Sequence, residues 1–195
     1  MTWRQSLLKT IYPVLMLKSK LFPGKKDVQL NTAKAPAPVS FHSLNATTIA
    51  GSPLAFDSLK GKKVLLVNTA SDCGYTGQYD ELERLQRQYA GKIVVLGFPA
   101  NDFKQQEKGD NASIAEFCRM NYGVSFTMLG KSSVIKGTDQ NPVFRWLSDP
   151  AMNGWCSQAP VWNFCKYLVD ENGTLLGYFS QQVSPLDKRL TDLIR

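Results

Sequence analysis

Four cysteines and one histidine are the residues of this chain best suited to nucleophilic or metal chemistry, and their spacing keeps them apart. Cys73, Cys118, Cys156 and Cys165 stand 45, 38 and 9 residues from one another, with no Cys-x-x-Cys pair, and His42 is far from all of them in sequence. That pattern argues against a zinc site, a Cys–His catalytic pair and a dense disulfide framework. His42 reads as structural, on an early strand. Cys73 stands out because it lies in VLLVNTASDCGYTGQY, residues 64–79, between an apolar run and a helical pattern. A thiol in a turn just ahead of a helix favours the thiolate, because unpaired backbone N–H groups and the positive helix end stabilise the anion. The neighbouring carboxylate of Asp72 works against it. The alternative reading is a buried cysteine acting as a small apolar residue. Ser71, Asp72 and Gly74 give Cys73 a polar neighbourhood that argues against that burial.

The elements around this turn follow from periodicity. Residues 64–67 are wholly apolar and β-rich, as a central strand buried on both faces requires. Tyr79, Leu82, Leu85 and Tyr89 fall at spacings of three, three and four, with Asp80, Glu81 and Glu83 early and Gly91 after the end, which predicts a helix from Gln78. Residues 93–98 predict a second buried strand, parallel to the first across that helix. The polar loop PANDFKQQEKG, residues 99–109, then leaves the C-terminal edge of a parallel strand, where open α/β sheets place their sites. Asp110 or Asn111 caps a helix carrying Ile114, Phe117 and Cys118 and ending by Gly123. Asn141-Pro142 opens a short helix stopped at Pro150. Residues 164–169 and 175–179 flank a turn at 170–173, an antiparallel hairpin. Ser184-Pro185 starts a last helix bearing Leu186, Leu190 and Leu193. Before all of these, residues 41–49 and 52–56 predict an N-terminal β-hairpin. The order is that of an α/β, thioredoxin-like fold, a central mixed sheet flanked by helices, with Cys73-Gly74-Tyr75-Thr76 at its usual Cys-x-x-Cys.

Composition places one domain plus an extension. The 195 residues are 43% hydrophobic and 20% charged, ordinary for a globular protein. The net charge of +7 is confined to the N-terminus: six basic residues precede the first acid, Asp27, and the remainder is nearly neutral. No basic face interleaved with stacking aromatics appears in the body, so nucleic-acid binding is excluded there. Residues 1–26 are apolar and basic together. Their longest uncharged segment, residues 10–17, holds eight residues and Pro13, too short to span a bilayer. Trp3, Leu7, Ile11 and Leu15 share one helical stripe, extended by Leu21 and Phe22. Three readings stay open: an interfacial anchor at a membrane surface through residues 1–22, a helix folded onto the body, or a targeting sequence. Residues 27–38 read as a linker, and 39–195 as the compact domain. The compartment is accordingly cytoplasmic or membrane-associated.

Three blocks in order now name a family. VNTASDCGYTGQY resembles the first signature of the glutathione peroxidases, in their cysteine-containing form. GFPANDFKQQEKG is similar to their second, usually close to GFPCNQFGGQEPG, and WNFCKYLVDENG to their third. The resemblance covers residues 39–195 and implies a thiol-dependent peroxidase. It would reduce hydrogen peroxide and organic hydroperoxides through a sulfenic acid on Cys73, protect against oxidative stress, and use no cofactor. By the same resemblance Gln106, Trp162 and Asn163 complete the site as neutral hydrogen-bond donors. Thioredoxin or glutathione would be the reductant, and Cys118, on the helix after the second signature, would be the resolving residue. Cys118 sits one position before the better-known place, an offset of about 100° on a helix that directs it to the core face with Ile114. Ala100, Asp102 and Lys108 depart from the second signature, and Asp102 adds negative charge to the loop of Gln106. Two other readings are a thiol–disulfide oxidoreductase, against which Thr76 counts because no resolving thiol sits in the turn, and a non-catalytic membrane-associated binding module.

Overall fold

An apolar strand with no polar interruption has to be covered on both sides, and the fold is built around one. The computed structural model describes residues 2–21, 24 and 26–195. Its N-terminal elements are α1 (Trp3–Leu21), β1 (Val28–Leu30), β2 (Asn45–Thr47), β3 (Pro53–Ala55) and β4 (Lys63–Thr69). After them come α2 (Gln78–Gln88), β5 (Ile93–Pro99), α3 (Asn111–Tyr122), β6 (Thr127–Met128), α4 (Pro142–Leu147) and α5 (Pro150–Asn153). The chain ends with β7 (Lys166–Val169), β8 (Leu175–Phe179) and α6 (Lys188–Thr191).

Six strands form one mixed sheet in the order β1-β8-β7-β4-β5-β6, and β2 and β3 form a separate hairpin. β4 runs parallel to β5, which the α2 crossover makes possible, and antiparallel to β7. Side chains alternate across the sheet, so Leu65 and Val67 meet Leu82, Leu85, Ile114 and Leu190 on one face. Val64 and Leu66 meet Phe41, Phe56, Phe144 and Trp146 on the other. This is the thioredoxin-like plan expected from the sequence. Both parallel strands release their C-terminal ends at one edge, and the Ala100 N–H donates to the Thr69 carbonyl at 3.0 Å, tying the two exits together. The turn bearing Cys73 and the loop 99–109 therefore emerge side by side.

Several boundaries differ from the sequence expectation. The linker region contributes β1, whose Val28 and Leu30 pair with Phe179 and Gly177 and cover the open edge of β8. Residues 41–43 form a 3-10 turn rather than a strand, and His42 packs there on Phe41, ring centroids 5.8 Å apart. Pro150 opens α5 instead of only stopping α4, with Asp149 as its cap. The last helix starts at Lys188, capped by Asp187, and Ser184 instead forms a turn ahead of it, its Oγ accepting from the Leu186 N–H at 3.0 Å and donating to Glu81 at 2.7 Å. α1 folds onto the body. Its Leu15, grouped by periodicity with Trp3, Leu7 and Ile11, turns inward against Gly74 while those three are exposed. Phe22, at the end of that apolar segment, lies outside the described residues. Among those described, no helix is long and apolar enough to cross a membrane.

The sheet centre is the stability anchor, and Leu66 is wholly buried there. Leu66→Ala is expected to lower the unfolding free energy by about 2–5 kcal/mol in urea titration. A loss below about 1 kcal/mol would contradict a packed position between β4 and α4.

Candidate active site

The polar residue that ends the apolar run of β4 organises the site. Asn68 is fully buried; its Nδ2 donates to the Trp162 carbonyl at 2.9 Å and its Oδ1 accepts from the Cys165 N–H at 3.0 Å. Its own carbonyl accepts from the Phe164 N–H at 2.6 Å. With the Asn68 N–H donating to the Cys165 carbonyl at 3.3 Å, four bonds fix the segment 162–165 against the strand that leads to Cys73. Phe164 is held at φ +67, a region that non-glycine residues rarely adopt, and its ring meets Tyr79 edge-on at 5.1 Å. Such a conformation costs on the order of 1–3 kcal/mol and persists only where the surroundings hold it. Here it aims Trp162 and Asn163 at Cys73.

Cys73 is buried, not in the open polar turn its neighbours suggest. Burial pushes its thiol up to about 11, opposed by hydrogen bonds from the Tyr75 backbone, the Asn163 side chain and the Trp162 side chain. Desolvation outweighs those donors, which reverses the expectation of a depressed pKa. The start of α2 lies five residues on, at Gln78, and Asp72 adds a small push in the same direction.

Gln106 completes the constellation through Asn163, whose Nδ2 donates to Gln106 Oε1 at 2.9 Å. Its backbone carbonyl also accepts from the Asp72 N–H at 3.0 Å, joining the second loop to the cysteine turn. Lys104 and Gln105 both have positive φ, +51 and +52, at the two positions where the second signature carries glycines. Lys104 places its ammonium 5.6 Å from the Trp162 ring centroid. Asp102 turns away from the site: its carboxylate accepts from the Ser133 hydroxyl and the Val134 N–H at 2.9 and 2.7 Å. The negative charge expected to bear on Gln106 is therefore taken up elsewhere.

Cys118 is buried on the core face of α3 with Ile114, as the one-residue offset implies. Burial pushes it up to about 12, with the nearby Tyr79 hydroxyl pulling it down. All four cysteines are free thiols. Cys156 and Cys165 belong to the opposite core, where Cys165 Sγ lies 3.3 Å from the Tyr178 hydroxyl. No cluster among the described residues could hold a metal.

A model of the glutathione peroxidases matches residues 41–148. The chain belongs to the glutathione peroxidase family. It is similar to the glutathione peroxidase-like peroxiredoxin GPX5 of Chlamydomonas reinhardtii, 45% identical over 146 residues, covering 74% of this chain and 89% of the relative. The glutathione peroxidase-like peroxiredoxin 2 of Saccharomyces cerevisiae is 42% identical over 158 residues, covering 80% and 97%. Among solved structures, that of Trgpx in apo form superposes with a TM-score of 0.61 at 31% identity, covering 81% and 97%. As a member of the glutathione peroxidase family the chain is a thiol-dependent peroxidase.

Residues that sequence reasoning passed over have visible signals in hindsight. Asn68 is a polar residue closing an apolar strand. Lys166 is a charge inside a buried hairpin; it donates to Gln78 Oε1 at 2.9 Å and to the Val183 carbonyl, and burial lowers its pKa to about 7. Glu107 is buried beside Gln106, and desolvation raises its carboxyl to about 7, with Ser71 pulling it down.

The Glu107 shift has a definite sign. With the folded pKa above the ordinary 4.5, the folded state holds an extra proton between about 4.5 and 7, and stability falls as pH rises through that window. Glu107→Gln removes this dependence. Relative to the parent, the variant should gain roughly 1–3 kcal/mol between pH 4.5 and 8 in urea titrations. A difference that stays constant with pH would place the titration elsewhere.

Proposed function

We propose that Cys73 is the peroxidatic nucleophile, that Trp162, Asn163 and Gln106 serve it as donors, and that Cys118 resolves the oxidised form for reduction by thioredoxin. The observation that carries this reading is the convergence of the Tyr75 N–H, Asn163 and Trp162 on the Cys73 sulfur. The thiolate attacks the distal peroxide oxygen. An S–O bond forms, the O–O bond breaks, and the departing alkoxide or hydroxide takes a proton and leaves as alcohol or water. Neutral donors around the sulfur favour the anion without neutralising it, and in this reading the Gln106 amide stabilises charge on the leaving oxygen.

Cys73 sulfenic acid then condenses with the Cys118 thiol, forming the disulfide and releasing water, and a dithiol reductant restores both thiols. For the sulfurs to meet, α3 must open locally, since a disulfide needs Cα atoms within about 7 Å. Two features support that opening. Ile114, Cys118 and Tyr122 are the only buried residues of α3, and Cys118 shares one core cluster with Tyr79 and Cys73. Glutathione is the alternative reductant, attacking the sulfenic acid directly. The proposal also includes contact of residues 1–22 with a membrane surface, supported by the exposed Trp3, Val14 and Leu17 of α1.

Turnover with thioredoxin and thioredoxin reductase should vanish in Cys73→Ser and in Cys118→Ser, and persist in Cys156→Ser. Non-reducing peptide mapping after peroxide should show a Cys73–Cys118 disulfide. Full thioredoxin-dependent activity in Cys118→Ser, with no such disulfide, would transfer the resolving step to an external thiol.

A further inference from the structure

α1 lies across the mouth of the site. Thr2 and Gln5 close one rim of a cavity of about 330 Å³ whose other walls include Ser71, Asp72 and Gln106. Leu8 and Leu15 cover Gly74, the residue after Cys73: a Cβ there would stand 3.2 Å from Leu15 and 3.9 Å from Leu8. Tyr12 is the one buried apolar residue of α1 among those described, and its ring lies so close over Gly77 that a Cβ would meet it at 2.2 Å. Its hydroxyl donates to Glu81 Oε2 at 2.8 Å, and its ring meets Tyr75 edge-on at 6.5 Å. Gly74 and Gly77 are thus needed for the close approach of α1.

The opposite side of α1 is apolar as well. Trp3 is 82% exposed, Val14 66% and Leu17 59%, and Leu7 and Ile11 are also exposed. Positions 3, 7, 11, 14 and 17 share one face of a helix. Residues 1–26 carry six basic residues and no acidic one, which complements anionic headgroups. Among the described residues, the Tyr12–Glu81 hydrogen bond and the apolar side chains of Leu8, Tyr12 and Leu15 seat α1 on the turn, and Pro13 inside the helix removes one of its own backbone donors.

We propose that α1 is a cover over Cys73 that an anionic bilayer draws open. The closed helix offers a membrane only its outer stripe, whereas the released helix adds Leu8, Tyr12 and Leu15. The bilayer therefore binds the open state more tightly and shifts the population toward it. The inference rests on Cys73 being the reactive thiol of the site.

The test reads cover position without peroxidase turnover, so failure of the catalytic reading stays distinguishable. The rate of Cys73 alkylation by iodoacetamide is followed by peptide mass in the full chain. Measurements are made alone, with phosphatidylcholine vesicles, and with vesicles containing phosphatidylglycerol. Anionic vesicles should bind the chain and accelerate alkylation, and neutral ones should not. Tyr12→Phe, lacking the bond to Glu81, should be alkylated about tenfold faster without vesicles. Trp3→Asp with Val14→Asp should keep the basal rate and lose the vesicle response. Vesicle binding without acceleration, or no binding, overturns the proposal. Acceleration that follows protein concentration without vesicles would assign the outer face to a second copy and overturn it too. Should Tyr12→Phe fail to fold, the outer-face pair still decides.

Discussion

The site depends on the buried side chain of Asn68. It stands at the end of the strand that the whole domain encloses, and its amide bonds both sides of the 162–165 segment. A buried amide left half-paired is costly, so the strand end and the third signature hold one another in a single arrangement. The strained Phe164 backbone is maintained by that clamp and by the Tyr79 ring. That clamp holds Trp162 and Asn163 beside the Cys73 sulfur.

Burial and hydrogen bonding oppose each other at the sulfur, and burial prevails in the resting chain. The site is a desolvated thiol with anion-stabilising donors in place. Water exclusion strengthens every one of those donors once the thiolate forms. Glu107 repeats the pattern one loop away, a carboxyl whose pKa desolvation raises to about 7. An ionised carboxylate beside Cys73 opposes the anion; Asp72 adds a small push of that kind, while Asp102, on the loop of Gln106, is diverted to Ser133 and Val134.

Much of the scaffold was legible because it obeys short-range rules. The double-sided strand β4, the amphipathic α2, the Asp110 cap and left-handed Gly123 of α3, and the turn at 170–173 all carry local signals that the structure keeps. The elements that escaped are those fixed by distant partners. β1 is a strand because β8 leaves an edge, and Ser184 is tied to the distant Glu81 while Asp187 caps α6. The placement of Leu15 depends on Gly74, which periodicity within α1 does not contain. At the site, Cys73 was legible from its place between strand and helix. Gln106, Trp162 and Asn163 came only from family motifs, since an isolated Trp or Gln carries no signal of its own. The sign of the Cys73 shift was misread because burial is a tertiary property.

The central claim is that donors aimed by the third signature set the reactivity of Cys73. The most direct measurement is the second-order rate of Cys73 oxidation by hydrogen peroxide as a function of pH, in the parent and in Asn163→Ala. Because Asn163 lowers the thiol pKa, its removal should move the midpoint of the profile upward and slow the reaction at neutral pH. An unchanged midpoint and rate would contradict the account.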